Sequence, residues 1–149
     1  MKRRDFLLAL AAANGLLIGP SAAVEFPPVR PRRKLVFPDD YGAHPDFRTE
    51  WWYATGWMRR NDGRPLGFQI TFFRVRTGIG ETSASRFAPR QLLLAHAAIA
   101  DPALGRLRHG ERAVRVGVGD NGFRRGHTQV WIGDWRLAQD GDKNQSSAH

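Results

Sequence analysis

Large apolar side chains recur at every second position over residues 66–72 of the segment 66–75, and this pattern constrains the fold more than any other feature of the sequence. A period of two predicts a β-strand with one face in an apolar core. The aromatic segment 51–58 precedes it, and the Asn, Asp and Gly at 60–64 predict that the two segments pair as a hairpin. The residues of the apolar parity are Leu66, Phe68, Ile70 and Phe72.

Three further segments complete the predicted strands. The leucines and alanines of 91–100 would also suit a helix, but the short length and the Asp101-Pro102 stop favour a strand. We expect a strand pair or an irregular segment over 106–118, and one more strand over 128–137. Strands joined by turns, without a clear helix between them, predict an all-β fold with an antiparallel sheet that curls toward a barrel or sandwich.

The N-terminus predicts an export signal. Arg3 and Arg4 with the following Asp-Phe-Leu resemble the twin-arginine motif, and the apolar run 7–18 is too short to span a bilayer. Small residues then predict cleavage before Val24. We therefore expect the twin-arginine export machinery as a partner and a periplasmic or secreted location; a general secretory leader and an uncleaved anchor are the alternatives.

Composition divides the chain into four predicted parts. Residues 1–23 are the signal peptide, and 24–34 form a Pro/Arg-rich linker, because three prolines there disfavour helix and inner strand. Residues 35–138 form a partial β domain. The polar tail 139–149 has a disordered composition.

The chain has no cysteine, so an apolar core without disulfides must stabilise it. Its formal net charge of +9 includes a net +2 on the leader, which leaves +7 after cleavage. We expect no nucleic-acid partner, since no binding motif accompanies the charge. An anionic membrane surface or an acidic envelope polymer fits the charge better, unless the arginines serve solubility alone.

Four blocks of the sequence carry a resemblance: 46–57, which includes Glu-Trp-Trp-Tyr-Ala-Thr-Gly, 67–74, 94–101 and 130–137. Together they resemble the AttH family of secreted, lipocalin-like proteins, which includes the carotenoid 1,2-hydratases (hydroxyneurosporene synthases). The resemblance implies two lipocalin-like β domains in a protein over twice this length. We therefore expect an N-terminal fragment, with an incomplete lipocalin-like barrel or curled sheet as its truncated first domain.

The resemblance and the aromatic residues together predict a lipocalin-like protein that binds an apolar or isoprenoid-like ligand in an aromatic-lined cavity. For His96 the residues themselves favour the alternative, a core histidine with a hydrogen-bond partner. The predicted ligand-binding residues are Trp51, Trp52, Tyr53, Trp57, Gln69, Phe72 and His96.

Glu50 is the candidate catalytic residue. A carboxyl group beside tryptophans can be kept protonated by desolvation and could protonate a carbon–carbon double bond, with aromatic faces stabilising the cation. The family resemblance implies the same chemistry, a carotenoid 1,2-hydratase-type hydro-lyase. The alternatives are that Glu50 only pairs with Arg48 or Arg74, or that the chain is a non-functional remnant of a split gene.

We expect neither a cofactor nor a metal. The spacings of His44, His96, His109 and His127 match no zinc-ligand pattern. No serine lies in a nucleophile elbow, so the sequence does not support a serine hydrolase.

Overall fold

The first sheet is a four-stranded antiparallel meander. The computed structural model describes residues 24–141 and, for the backbone alone, 143–147; the predicted leader lies outside the described residues. Each strand pairs with the next along the chain, and the predicted strand over 91–100 is confirmed. The strands are β1 (Thr49–Arg59), β2 (Pro65–Arg76), β3 (Gln91–Asp101) and β4 (Arg106–Arg115).

The predicted hairpin between β1 and β2 is confirmed. Gly63 adopts a φ of +82°, which glycine tolerates without steric cost. The Arg60 amide donates to the Arg64 carbonyl at 2.9 Å, and the Arg64 amide donates to the Asp62 carboxylate at 3.0 Å. The local turn chemistry therefore sets the register that runs from Thr49 opposite Val75.

The strands that follow β3 correct two predictions. Residues 128–137 form two strands instead of one, because Gly133, at a φ of +59°, reverses the chain within two residues. Within residues 106–118 there is one strand, β4 (Arg106–Arg115), followed by a turn, instead of a strand pair or an irregular segment. The second sheet pairs in chain order and contains β5 (Asn121–Phe123), β6 (Gln129–Ile132), β7 (Trp135–Asp140) and β8 (Lys143–Ser147).

Residues 139–140 and 143–147, in the polar tail whose composition predicts disorder, lie in two paired strands. Strand β7 continues to Asp140, and β8 pairs with it antiparallel across Gly141, whose φ is +57°. A polar sequence can form an edge strand because the pairing uses backbone groups, which do not depend on apolar side chains.

The inner face of the first sheet packs against the second sheet. Trp135 of β7 lies against the backbone of Gly110, where an added Cβ would be 3.2 Å from the indole ring. The Arg112 guanidinium lies 4.6 Å from the centroid of Trp135. The buried core consists of Ile70, Phe72, Leu93, Ala95, Val130, Ile132, Trp135 and Leu137.

The predicted fold class is confirmed. The structure is all-β and antiparallel apart from the single 3₁₀ turns Asp39–Tyr41 and Pro102–Leu104. Within the described residues the two sheets stay open and do not close into a barrel.

Residues 24–34 contain no helix or strand and are mostly exposed. The part of the chain described here has no helix of the length and apolarity needed to cross a membrane.

The segment that precedes β1 joins the two sheets. The Ala43 amide donates to the Arg124 carbonyl at 2.8 Å, and the Thr128 hydroxyl donates to the Tyr41 carbonyl at 2.8 Å. Gly42 lies so close to the other backbone that an added Cβ would be 2.1 Å from the Gly126 nitrogen. Glycine is required here by proximity, since its φ of −95° suits any residue.

We expect Gly42→Ala to lower the free energy of unfolding by about 3 kcal/mol or more, because backbone atoms on both sides would have to separate. Gly56→Ala is the matched control, since its added Cβ would meet only the Phe68 ring, at 3.1 Å, and a side chain can shift. Urea unfolding of both variants measures the difference. Equal losses of unfolding free energy in the two variants would show that the backbone contact between Gly42 and Gly126 is not closely packed.

Candidate functional site

Strand alternation separates the predicted ligand-binding residues onto two faces. Trp52 and Phe72 face inward, where Phe72 is fully buried in the core and Trp52 packs against it. The structure brings the other five to the outer face of the first sheet, where Trp57 is 77% exposed. These outer residues are Trp51, Tyr53, Trp57, Gln69 and His96.

A groove crosses the outer face near the β1–β2 turn. The strand registers place Trp57, Gly67, Ala100 and Leu107 in one row, with small residues in the middle and large ones at both ends. In the next row, the polar side chains of Thr55 and Gln69 are neighbours on β1 and β2. The groove has a volume of about 490 Å³. Its lining consists of Thr55, Gly56, Trp57, Gly67, Phe68, Gln69, Ala98, Ala100 and Leu107.

The polar side chains beside the groove are fixed by hydrogen bonds. The Thr55 hydroxyl donates to the Phe68 carbonyl at 3.2 Å, and the Gln69 amide donates to the Thr71 hydroxyl at 3.1 Å. The groove therefore offers a mainly apolar surface with a polar margin. Such a surface can bind a flat apolar molecule and orient one polar group.

His96 lies outside the core. Its side chain is exposed on the outer face, and its ring centroid is 5.4 Å from that of Phe73. The interpretation of His96 as a core histidine is therefore wrong, because its position in β3 gives it the opposite parity to the buried Leu93 and Ala95.

Arg74 is the centre of a buried polar network on the inner face. It is fully buried, and each of its five N–H groups has an acceptor. The contacts join β2 to β1, to β3 and to the loop before β1. The acceptors are the Glu50 carboxylate at 3.1 Å, the Gln91 side chain at 3.2 Å and the carbonyls of His44 at 3.0 Å, Phe47 at 3.0 Å and Pro45 at 3.4 Å.

Glu50 accepts hydrogen bonds from two sides of this network. Besides Arg74, it receives the His44 amide at 2.9 and 3.0 Å, and the His44 ring nitrogen Nδ1 lies 2.8 Å from it. Of the two arginines that the sequence offered as partners, the structure pairs Glu50 with Arg74; Arg48 lies instead over the Phe26 ring at 5.8 Å. The catalytic role of Glu50 stays a prediction.

The sequence pointed to His44 only as a possible metal ligand and did not point to Asp40, and these two residues extend the network to the surface. His44 Nε2 lies 2.8 Å from the Asp40 carboxylate, so the imidazole ring lies between two carboxylates. A cleft of about 380 Å³ opens beside His44. Among the described residues, no three of His, Cys, Asp or Glu are placed to hold a metal ion. The arrangement of Asp40, His44 and Glu50 suits a hydrogen-bond network that stabilises the fold.

We expect Arg74→Met to lower the free energy of unfolding by about 3–5 kcal/mol, because it leaves Glu50 and three carbonyls without their donor. Arg76→Met is the matched control on the same strand. Arg76 pairs with Glu81 at 2.9 Å in a partly exposed site, where an ion pair contributes about 1 kcal/mol or less. Comparable losses in denaturant unfolding would contradict the central place of Arg74.

Asp40 makes the network sensitive to acid. Its carboxylate is only 2% exposed, and its pKa lies below the ordinary value of 3.8, first because the Val36 amide donates to it. Hydrogen bonds with His44 and Arg33 act in the same direction, while burial opposes them. A carboxyl whose pKa is lowered by folding stabilises the fold above its ordinary pKa, and this contribution disappears as the pH falls through the lowered value.

We therefore expect the stability difference between the wild type and Asp40→Asn to be largest near about pH 5 and to shrink toward about pH 2. Denaturant unfolding across this pH range measures it. Asp39→Asn removes a neighbouring exposed carboxylate and is the control. If the stability difference between the wild type and Asp40→Asn stayed constant with pH, the titration of the Asp40 carboxyl would not be linked to folding.

The chain is similar to known proteins in sequence and in fold. A family model described as AttH-like matches residues 28–149. The solved structure of a candidate AttH protein from Nitrosomonas europaea aligns with 83% of this chain at 44% identity and a TM-score of 0.70. The chain spans only 37% of the length of that protein. The comparison with curated proteins gives no match. Because the family model covers most of the chain, this protein belongs to the AttH-like family.

Proposed function

We propose that this chain is an exported, lipocalin-like member of the AttH-like family that binds an apolar or isoprenoid-like ligand. The observation that supports this proposal is the groove on the outer face of the first sheet. Its volume of about 490 Å³ suits a small molecule. Export by the twin-arginine route to the periplasm or beyond is part of the proposal and is supported by the Arg3-Arg4 leader.

The shape of the groove favours a flat or extended apolar ligand. Gly67 and Ala100 give it a shallow floor between Trp57 and Leu107, so a conjugated chain or ring could lie across β2 and β3. Trp57 and Leu107 are both exposed, and a bound ligand would remove their apolar surface from water. Trp51 and Tyr53 extend the apolar surface along β1.

The position of Glu50 favours binding over hydration. A hydro-lyase of the carotenoid 1,2-hydratase type needs a carboxyl group that donates a proton to the bound double bond. Glu50 lies on the inner face of β1 and accepts hydrogen bonds from Arg74 and His44, whereas the groove lies on the outer face. A ligand in the groove is therefore separated from Glu50 by the sheet itself.

We expect Ala100→Phe to raise the Kd for all-trans-retinol at least about tenfold, because the added ring occupies the floor of the groove and removes about 1.4 kcal/mol or more of binding free energy. Titration followed by retinol fluorescence measures this. Ala84→Phe is the control, since it adds the same ring to an exposed loop. Wild-type affinity in Ala100→Phe, or an equal loss in the control, would sink the groove as the binding site.

A further inference from the structure

Residues 29–37 form a surface segment, here called the basic apolar segment, that exposes large apolar side chains beside basic ones. Val29 is 87% exposed and Leu35 is 65% exposed, and Val36 and Phe37 are also mainly exposed. The segment contains no aspartate or glutamate. Val29 and Leu35 line one cleft, and exposed apolar side chains grouped in this way indicate an interaction site.

Three of the four basic residues in this segment are free to meet a partner. Arg33 pairs with Asp40 at 2.6 Å. The others are exposed and make no ion pair within the described residues. These three are Arg30, Arg32 and Lys34. The segment therefore presents unneutralised positive charge together with apolar side chains.

The rest of the domain holds this segment in a defined shape. The Val36 amide donates to the Asp40 carboxylate, the Asp40 amide donates to the Val36 carbonyl at 2.9 Å, and the Phe37 and Tyr41 rings are 4.4 Å apart. Arg32 adopts a φ of +60°, a conformation that glycine would adopt more readily. An arginine at this position is thus unfavourable for the backbone, which points to a use for its charge.

We propose that the basic apolar segment binds the surface of a membrane that contains anionic lipids. Basic side chains near an anionic bilayer are attracted to its headgroups, and apolar side chains beside them can enter the interfacial region. An acidic polymer would satisfy the charges alone. The exposed valines, leucine and phenylalanine favour the lipid surface, because only it also buries them.

The test measures binding of the chain from Val24 to His149 to vesicles of phosphatidylcholine with and without about 30% phosphatidylglycerol, by co-sedimentation at physiological salt. We expect binding to the anionic vesicles only. The triple variant Arg30→Gln, Arg32→Gln, Lys34→Gln should bind on the order of 100-fold more weakly, from about fivefold for each charge. The matched control removes three other exposed charges, with Arg106→Gln, Arg108→Gln and Arg136→Gln, and should change binding far less.

Two further variants separate lipid binding from charge and from folding. Val29→Ser with Leu35→Ser keeps every charge, and we expect it to bind the anionic vesicles about tenfold more weakly, because its apolar side chains no longer enter the bilayer. Arg32→Gly relieves the left-handed backbone, so we expect an unchanged or higher Tm together with about fivefold weaker binding.

Several outcomes would overturn the proposal. Equal binding to both kinds of vesicle, or equal losses in the triple variant and its control, would exclude a specific electrostatic site. Unchanged vesicle binding by Val29→Ser with Leu35→Ser, together with tight binding of dextran sulfate, would assign the segment to acidic polymers instead. A thermal melt of each variant shows that a loss of binding is not a loss of folding.

Discussion

The structure depends most on a buried arginine whose hydrogen bonds are all satisfied. A guanidinium taken out of water is costly unless every N–H finds an acceptor, and Arg74 meets this condition with acceptors on β1, β3 and residues 44–47. Those acceptors can reach Arg74 only when the strands are in register and the loop is folded over them. The same loop then binds the second sheet through Ala43 and Arg124. One side chain thus couples strand register, loop conformation and the packing of the two sheets.

This coupling divides the first sheet into two faces with different roles. The inner face contains the core and the network of Arg74, Glu50 and His44. The outer face contains the groove and the exposed aromatics of β1. Because successive residues of a strand point to opposite faces, Glu50 and Trp51 cannot serve the same site even though they are adjacent. The side chains that stabilise the fold and the proposed ligand groove therefore lie on opposite sides of one sheet.

The sequence predicts the strands and turns well, but it does not predict which residues line the groove. The period-two pattern of β2 and the Asn-Asp-Gly turn define the hairpin without any knowledge of the fold. The groove, however, depends on Gly67, Ala100 and Leu107, which are small or common residues on three different strands. Only the register across the whole sheet brings them into one row. The aromatic residues of 51–53 give the opposite problem, because their adjacency in sequence suggests a cluster that strand alternation separates.

Exposed apolar residues give information about function only when they are contiguous. Single exposed apolar side chains are normal on a protein surface, and isolated ones such as Ile79 need no explanation. In contrast, Trp57 and Leu107 border one groove, and Val29 and Leu35 lie within one short basic segment. None of these side chains belongs to the buried core. Their grouping exposes apolar surface without adding to the core, and this grouping is the observation on which the proposed ligand groove and the proposed lipid-binding segment both depend.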